Sequence, residues 1–260
     1  MARPAASLIY RWYTNRLLTD VRSHPVPEHV AIILDGNRRF ALLNGMADRG
    51  DGHRYGAQKV SQVIQWCDEL EIPVVTLWAF STDNFSRTPE ELDKLFQVVN
   101  EKLDEFREQK GAGANRRVRA VGRIEMLPED TRERIRDVER LTASVRPWLL
   151  NVAVAYGGRA EIVDAFRRAV RSRADAGESA ADIAESFSDA DLTQNLYAPD
   201  VADPELIIRT SGELRLSGFL LWQSVHSELY FCDALWPAFR KLDLLRAIRS
   251  YQARHRRFGR

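Results

Sequence analysis

Residues 29–34 read His-Val-Ala-Ile-Ile-Leu, and residues 35–39, which follow directly, read Asp-Gly-Asn-Arg-Arg. The apolar, β-branched run predicts a strand buried on both faces, as the strands of parallel sheets are. The polar residues begin where that strand would end, and ligands of open α/β sheets bind beside the carboxyl ends of the strands. This stretch therefore predicts both an α/β fold and the position of a site within it.

The rest of the chain repeats this alternation of strands and helices. Apolar runs at 73–80, 118–121, 149–156 and 206–208 predict further strands, and helical patterns at 56–70, 89–109, 128–142 and 160–176 lie between them. The alternation predicts a single α/β domain with a mostly parallel central sheet of about six strands flanked by helices. Within it, residues 111–117 are expected to form a flexible loop, residues 174–191 to face solvent, and the basic residues 254–260 to be partly mobile.

Residues 1–24 are predicted to form an amphipathic helix in front of the main domain at 25–260. Its apolar residues recur at helical spacing, with Arg11 and Arg16 on the other side: Leu8, Ile9, Trp12, Tyr13, Leu17 and Val21. Two interpretations stay open: the helix docks on the body of the protein, or it lies on a membrane surface.

Composition limits the function classes. Hydrophobic residues make up 45% of the 260-residue chain, enough for one large core, and the net charge of +1 excludes nucleic-acid binding through overall charge. No apolar run approaches the ~18 residues of a membrane span, and arginines interrupt the start of the chain. We therefore expect a cytoplasmic protein, at the inner face of the membrane if the first helix contacts lipid. Cys67 and Cys232 are expected to be buried thiols.

The first group of candidate site residues follows the strand at 29–34. Asp35 can hold a divalent cation, and Gly36 lets the backbone approach a ligand closely. If a helix begins here, its free N–H groups together with Asn37, Arg38 and Arg39 form a cradle for a diphosphate. Asp-Gly-Asn is also a common turn, so the structural alternative stays open.

Two further groups carry polar side chains at comparable places. Arg49 and His53 lie in a glycine-rich stretch that suits phosphate contacts or, alternatively, only caps the next helix. The stretch after the strand at 73–80 contains Ser81, Thr82, Asp83, Asn84, Phe85 and Arg87. It predicts a polar site against an apolar wall, which can coexist with an N-cap by Ser86 or Thr88.

The fourth group follows the strand at 206–208. Arg209 and Arg215, with Leu216 and Ser217 beside them, can grip one diphosphate with directional hydrogen bonds. Glu228 stands in an otherwise apolar stretch and needs a cation, for which either magnesium or an arginine would serve.

Taken together, five ordered segments resemble the cis-prenyltransferases, the undecaprenyl diphosphate synthase-like enzymes. They are HVAIILDGNRRFA, RGDGHRYG, FSTDNFSRTPEE, NVAVAYGGR and IRTSGELRLSGFLLWQ followed by SELYF, and the match runs from His29 to about Arg257. The C-terminal stretch is most similar to actinobacterial short-chain Z-isoprenyl diphosphate synthases. The DDxxD signature of the all-helical trans-prenyltransferases is absent from the sequence.

The resemblance implies a role for each group. It places a magnesium ligand at Asp35 and a second at Glu228, and proton removal at Asn84, which we expect to orient rather than to abstract because an amide is a weak base. It places isopentenyl diphosphate on Arg209, Arg215, Leu216 and Ser217. The remaining substrate contacts fall on Gly36, Asn37, Arg38, Arg39, Phe40, Arg49, His53, Ser81, Thr82, Asp83, Phe85 and Arg87.

The implied activity is a Mg²⁺-dependent condensation of isopentenyl diphosphate with an allylic diphosphate, geranyl or farnesyl, to a Z-configured polyprenyl diphosphate. The resemblance also implies a homodimer formed through residues 220–236 and the C-terminus, and an apolar product tunnel beside the helix at 89–109. Phe96 is the expected floor of that tunnel, which favours a short or medium product over a C50–C55 precursor. A non-catalytic partner subunit and a phosphate-ester hydrolase are the alternatives, and retention of Asp35 and Arg209 speaks against the first.

Some positions depart from the family pattern. Phe40 and Phe85 stand where tryptophan is usual, Asp83 where glutamate is common and Arg123 where aspartate is common, and one extra residue precedes His53. These changes bear on the shape of the allylic pocket and so on the preferred substrate.

Overall fold

A parallel six-stranded sheet forms the centre of the computed structural model, which describes residues 4–46, 48, 50–108, 115–145 and 147–255. Its strands are β1 His29–Ile33, β2 Val74–Trp78, β3 Arg116–Val121, β4 Trp148–Ala153, β5 Leu206–Arg209 and β6 Glu228–Phe231. They pair in the order β3-β4-β2-β1-β5-β6, and every pair is parallel. The predicted single α/β domain is confirmed, and β6 is the strand that the sequence pattern missed.

Nine helices are present in the described part of the chain. They are α1 Pro4–Arg22, α2 Asn37–Leu43, α3 Asp51–Glu69, α4 Pro89–Arg107, α5 Glu129–Thr142, α6 Gly158–Asp175, α7 Ala180–Ser186, α8 Asp189–Thr193 and α9 Lys241–His255. The start of α4 is typical: Pro89 is its first residue, and the Thr88 hydroxyl accepts a hydrogen bond from the Glu91 N–H. The predicted N-cap by Thr88 is therefore confirmed.

Three boundaries differ from the sequence-based expectation. Helix α3 begins at Asp51 rather than at residue 56, and Gly52 in its first turn packs so closely on α2 that an added Cβ would lie 2.0 Å from the Asn37 carbonyl oxygen. Residues 174–191 were expected only to face solvent, but they include α7 and the start of α8, which are capped by Ser179 and Ser188. Strand β3 starts two residues early, and residues 111–114 of the expected loop and 256–260 of the C-terminal stretch lie outside the described residues.

The sheet is covered on both faces, as the apolar run at 29–34 predicts. All five residues of β1 are buried. Because neighbouring side chains of a strand point to opposite faces, Val30 and Ile32 join one apolar core, whereas Ala31 and Ile33 join another. The backbone groups of β1 pair with β2 on one side and with β5 on the other.

The first helix docks on the body of the protein. Leu17 and Val21 of α1 are buried in the same core as the apolar face of α9, so α1 and the main domain share one core. Leu8, Ile9 and Trp12 remain exposed, at 67%, 67% and 61% of their surface. The docking interpretation is therefore confirmed. None of the helices within the described residues is long and apolar enough to cross a membrane.

Both cysteines are buried, free thiols, as expected. Burial raises the pKa of the Cys67 thiol to about 12. A thiol with this pKa is almost entirely protonated near neutral pH, and the thiolate is the reactive form. Cys67 therefore serves as a small apolar residue of the core rather than as a nucleophile.

A buried ion pair joins the edge of the sheet to α3. The guanidinium of Arg116 is 0% exposed and donates from Nε to the Asp68 carboxylate at 2.6 Å. Its other nitrogens donate to the carbonyl oxygens of Ile72, Pro73 and Leu149 at 2.7, 3.0 and 3.2 Å. Arg116 thereby donates hydrogen bonds to one carboxylate and to carbonyl groups just before β2 and at the start of β4.

We expect Arg116→Met to lower the free energy of unfolding by about 3–5 kcal/mol, because it leaves the largely buried Asp68 carboxylate without its cation and removes a donor from three carbonyl groups. Urea denaturation measures this. The control is Arg136→Met, because Arg136 and its partner Glu129 are 59% and 54% exposed and such a pair contributes less than about 1 kcal/mol. Equal losses in the two variants would contradict the assignment.

Candidate active site

Three strand ends meet at one edge of the sheet. β1 pairs with β2 on one side and with β5 on the other, so the strand order changes direction beside β1. Open α/β sheets bind their ligands at such a topological switch point. A cleft of about 500 Å³ opens there. It is lined by Ile33, Leu34, Asp35, Gly36, Asn37, Arg38, Arg39, His53, Trp78, Ala79, Phe80, Ser81, Asn84, Arg87, Leu95, Arg209 and Ser217. Each of the four predicted groups thus contributes residues to this cleft, and His53 is the contribution of the second group.

An ion pair between Asp35 and Arg209 lies at the centre of the cleft. The Arg209 side chain is 5% exposed, and its Nη2 atom donates to Asp35 Oδ2 at 2.8 Å. Its Nη1 atom donates to Ser217 Oγ at 2.7 Å and also to the carbonyl oxygen of Arg215. Nε of Arg209 is buried without a hydrogen-bond partner among the described residues. These contacts hold the guanidinium rigidly at the cleft.

Thr210 fixes this ion pair, although the sequence did not single it out. It is 0% exposed; its hydroxyl accepts from the Asp35 N–H at 3.0 Å and lies 2.7 Å from the Asp35 carbonyl oxygen, to which it donates. The hydroxyl thereby holds the loop after β1 against the loop after β5. Its position directly after Arg209 is the one feature of the sequence that points to this role, but a threonine at the end of a strand can have many roles.

The start of α2 lies against the cleft. Gly36 precedes the helix with φ +107°, a conformation that favours glycine, and an added Cβ would lie 2.9 Å from Leu235. The free N–H groups of the first turn and the Arg38 and Arg39 side chains lie on the cleft side. The predicted helix start at 35–39 is therefore confirmed. Phe40 is half-buried and packs against Tyr55, with ring centroids 5.8 Å apart.

The two arginines expected to act together occupy different environments. Arg209 is buried in the cleft, whereas Arg215 is 64% exposed and donates to Glu213 Oε2 at 2.5 Å. Glu213 also accepts from Arg39 at 3.2 Å, and Arg39 donates to the Ser211 carbonyl oxygen at 3.0 Å. Leu216 packs into the apolar core beneath the loop. Glu213 therefore connects the loop after β5 to α2, a function that the sequence motif did not reveal.

The group after β2 forms one turn of 3-10 helix, Thr82–Ser86. Asn84 Oδ1 accepts a hydrogen bond from the Ser81 N–H at 2.9 Å, and this contact fixes the amide so that its Nδ2 atom is available to a ligand. Thr82 and Asp83 do not line the cleft. Phe85 also lies away from it and packs on Phe80, with ring centroids 4.9 Å apart.

His53 accepts a hydrogen bond from Arg87 Nη1 at 3.4 Å. Burial lowers the pKa of His53 to about 4, and the positive charges of Arg87 and Arg38 act in the same direction. The imidazole is therefore neutral near pH 7. Arg49, the other residue of this group, lies outside the described residues.

Glu228 lies at the opposite edge of the sheet from Asp35. It is the first residue of β6 and pairs with Leu206, the first residue of β5, whereas Asp35 lies beyond the opposite end of the sheet, where Ile33 pairs with Arg209. The length of β5 alone separates these edges by about 10 Å at about 3.3 Å per residue. Within one chain Glu228 and Asp35 therefore do not share an ion. The carboxylate of Glu228 contacts Arg254, the second of the two partners that the sequence left open.

An apolar cavity of about 100 Å³ lies between the sheet and helices α3, α4 and α5. Its lining includes Leu77, Val98, Val99, Leu103, Phe106, Val118, Ala120, Ile135, Val138, Val152 and Val154. Leu34, Asn37, His53, Ala79 and Leu95 line both the cavity and the polar cleft. The cavity therefore begins where the cleft ends.

The expectation that Phe96 closes this space is wrong. Phe96 does not line the cavity; it packs against Phe80 and Phe85, with ring centroids 5.5 and 6.2 Å apart. Phe106, three helical turns further along α4, lines the cavity instead. Trp78 points away from Ala79, as strand alternation predicts, and stacks on Phe219 at 5.1 Å.

The chemistry of the cleft defines a class of protein. Four guanidinium groups, of Arg38, Arg39, Arg87 and Arg209, and one carboxylate, of Asp35, line the described part of the cleft, and the adjoining cavity is apolar. Guanidinium groups and a helix start bind phosphate oxygens, and an apolar cavity accepts a hydrocarbon. The site is thus that of an enzyme that handles the diphosphate ester of a hydrocarbon.

Comparison with known proteins identifies the family. The prenyltransferase family model, described as undecaprenyl diphosphate synthase, matches residues 33–259. The chain is 47% identical over 251 residues to (2Z,6E)-farnesyl diphosphate synthase of Thermobifida fusca, with 96% of this chain and 97% of the relative covered. It is 47% identical over 257 residues to the geranylgeranyl-diphosphate-specific tritrans,polycis-undecaprenyl-diphosphate synthase of Methanopyrus kandleri, covering 97% and 92%.

A solved structure agrees with the sequence comparisons. Lavandulyl diphosphate synthase from Lavandula x intermedia, crystallised with dimethylallyl diphosphate, superposes with a TM-score of 0.82 at 34% identity, covering 90% of this chain and 99% of that one. The chain belongs to the undecaprenyl diphosphate synthase family, and it is a prenyltransferase of the cis-prenyl diphosphate synthase type. The family implies isopentenyl diphosphate and an allylic diphosphate as substrates, and its members generally use a divalent metal.

The neutral state of His53 leads to a pH prediction. Burial lowers the pKa of His53 and of His29 from 6.5 to about 4. Their neutral forms stabilise the fold above pH 6.5, and that stabilisation is lost as the pH falls towards 4. We expect the free energy of unfolding to fall by about 2 kcal/mol per histidine between pH 7.5 and 5.

In His53→Gln the free energy of unfolding should fall less between pH 7.5 and 5, because only His29 still contributes to the pH dependence. Urea unfolding of both proteins at pH 7.5 and 5 measures the difference. Identical pH dependence in the variant and the wild type would show that His53 is not held neutral.

Proposed function

We propose that this prenyltransferase joins isopentenyl diphosphate to geranyl or farnesyl diphosphate in a Mg²⁺-dependent reaction that forms a cis double bond. One observation carries the proposal: a cleft with four guanidinium groups around Asp35 continues directly into an apolar cavity. Two diphosphate groups need several cations in one place, and a growing hydrocarbon needs an apolar space beside them. Both requirements are met at the carboxyl edge of the sheet.

Isopentenyl diphosphate is assigned to the loop after β5. Arg209 and Ser217 line the cleft, and the positive charge of the Arg209 guanidinium would attract a phosphate group bound there. Arg215 is exposed and paired with Glu213, so it would have to leave that partner to reach a ligand. Exposed ion pairs are weak, which makes this exchange inexpensive. Leu216 anchors the loop in the core.

The allylic diphosphate is assigned to the start of α2. Gly36, Asn37, Arg38 and Arg39 present N–H groups and guanidinium groups there, and the neutral His53 lies beside Arg87 in the same cleft. Arg49 belongs to the same proposed site by its resemblance to the family pattern. The hydrocarbon part of the allylic substrate would enter the cavity past Ala79 and Leu95.

Asp35 suits a magnesium ion held jointly with substrate. Its side chain is 35% exposed, and Oδ2 is bound to Arg209, so Oδ1 remains for a cation. Mg²⁺ is commonly bound by one or two carboxylates together with phosphate oxygens and water. Bound there, the ion would neutralise negative charge on the departing diphosphate.

The protein's own residues position the reaction. Arg209 and Ser217 would place the double bond of isopentenyl diphosphate next to the allylic carbon, which supplies orientation. Asn84 Oδ1 is engaged by Ser81, so the side chain would act as a fixed donor from Nδ2 rather than as a base. A diphosphate oxygen of the substrate is then the acceptor for the proton lost from isopentenyl diphosphate.

The cavity supports a short product. An apolar void of about 150 Å³ holds one benzene molecule, so a cavity of about 100 Å³ holds about one isoprene unit, and the rest of a geranyl or farnesyl chain would lie in the adjoining cleft or require the cavity to widen. A C50–C55 chain would require α3, α4 and α5 to separate widely. The relatives do not decide the matter, because a farnesyl and an undecaprenyl diphosphate synthase are equally identical to this chain.

Two further proposals concern assembly and location. We propose that the protein forms a homodimer, because β6 is an edge strand with half-buried Tyr230 and Phe231. Leu220 and Trp236, which the sequence assigned to the interface, are buried in the chain's own core. A cytoplasmic location with peripheral contact of α1 to lipid is supported by the exposed Leu8, Ile9 and Trp12.

Asp35→Ala should sharply reduce turnover, and it should also lower the free energy of unfolding because the buried Arg209 guanidinium loses its carboxylate partner. Losing the cation ligand should cost roughly 3 kcal/mol of transition-state stabilisation, about a hundredfold in kcat or more. Steady-state kinetics at saturating Mg²⁺ measures this, with circular dichroism as the check on folding. The control is Asp83→Ala, a nearby exposed carboxylate outside the cleft. Near-normal activity of Asp35→Ala would show that the metal assignment is wrong.

Phe106→Ala should lengthen the products, because it removes a large side chain from the cavity wall and leaves space for about one more isoprene unit. Chromatography of the dephosphorylated products measures the distribution. The control is Phe96→Ala on the same helix, which should leave chain length unchanged because Phe96 packs outside the cavity. Longer products from Phe96→Ala alone would restore the original expectation.

A further inference from the structure

The loop formed by residues 217–223 is strained where it meets the cleft. Ser217 has φ +51°, Gly218 has φ +91° and Leu220 has φ +45°. Two of these are non-glycine residues in the left-handed region, a conformation that persists only where the surroundings hold it. Because Ser217 Oγ accepts from Arg209, the position of this loop determines where the Arg209 guanidinium is held.

Two contacts hold the first half of the 217–223 loop. The Gly158 N–H donates to the Gly218 carbonyl oxygen at 2.8 Å, and an added Cβ on Gly158 would lie 2.4 Å from that oxygen. Phe219 is fully buried and stacks parallel to Trp78, with an interplanar angle of 5°. Tyr156 packs edge-on against the Phe219 ring, with centroids 5.9 Å apart.

The second half of the loop is held by a buried carboxylate. Glu161, in the first turn of α6, is 2% exposed. It accepts hydrogen bonds from the Tyr156 hydroxyl at 2.5 Å, the Tyr197 N–H at 3.0 Å and Gln223 Nε2 at 3.1 Å. It forms no ion pair within the described residues. A buried carboxylate without a cation is costly, so these three donors and the helix start must compensate for its desolvation.

We propose that Glu161 is a positioning residue for isopentenyl diphosphate. It fixes Gln223, and hence the 217–223 loop, against the end of β4, and the loop then holds Ser217 and Arg209 in the cleft. The inference rests on the proposed assignment of isopentenyl diphosphate to Arg209 and Ser217. Glu161 does not line the cleft and touches no substrate itself.

Asp164 provides a matched control on the same helix. It lies three residues further along α6 and accepts from Arg123 at 2.8 and 3.0 Å and from the Tyr197 hydroxyl at 2.6 Å. Both carboxylates therefore contact Tyr197, but only Glu161 contacts the 217–223 loop. Arg123, which departs from the family pattern, has its partner here rather than in the cleft.

The test compares the Michaelis constants of Glu161→Gln and Asp164→Asn for the two substrates. We expect Glu161→Gln to raise KM for isopentenyl diphosphate about tenfold, because an N–H donor replaces Oε2, which accepts from both Gln223 and Tyr156, while Oε1 goes on accepting from Tyr197. The allylic KM and kcat should stay within about twofold of wild type. Asp164→Asn should leave all three constants within about twofold, even if it lowers Tm. In the double variant Glu161→Gln with Gln223→Glu, donor and acceptor are exchanged, and KM should recover.

Equal effects of Glu161→Gln on both KM values, or an effect no larger than that of Asp164→Asn, would overturn the positioning role. Gln223→Leu tests the same contact if Glu161→Gln does not fold, and it should show the same selective rise in KM. If the wild-type enzyme does not consume isopentenyl diphosphate, the proposed function fails instead. That outcome is read from the wild type alone, so the two failures are distinguishable.

Discussion

The ion pair between Asp35 and Arg209 is the contact on which the site depends. It joins the loops after β1 and β5, which are neighbouring parallel strands, and Thr210 holds both backbones in place. Arg209 is almost fully buried, so its charge is tolerated only because Asp35, Ser217 and the Arg215 carbonyl oxygen accept its hydrogen bonds. The remaining cationic groups of the cleft lie around this pair.

The site consists of a polar cleft and an apolar cavity that adjoin each other. At the sheet edge, guanidinium groups and a helix start favour phosphate oxygens; a few ångströms further, between the sheet and α4, the lining is almost entirely apolar. His53 lies at the boundary, and its neutral state avoids placing another charge beside the hydrocarbon. A substrate with a charged head and an isoprenoid tail matches this sequence of environments.

The sequence predicted those parts of the fold and site that depend on local patterns. The buried run of β1, the helix start after Asp35 and the covered parallel sheet are encoded within short segments, and each was confirmed. The failures concern long-range geometry. Phe96 was misplaced because the face of α4 that meets the sheet is set by packing, and only the register of β5 and β6 reveals which sheet edge Glu228 occupies. Glu161 was overlooked because its partners lie up to 62 residues away.

The most direct test is incorporation of labelled isopentenyl diphosphate by the purified wild-type protein. Farnesyl and geranyl diphosphates serve as separate acceptors, with Mg²⁺ or with excess chelator, and the products are analysed for length and double-bond configuration after dephosphorylation. The proposed site predicts Mg²⁺-dependent formation of a short Z-configured product and no reaction with chelator. Absence of incorporation with Mg²⁺ and either acceptor, or release of the free allylic alcohol without chain extension, would contradict it.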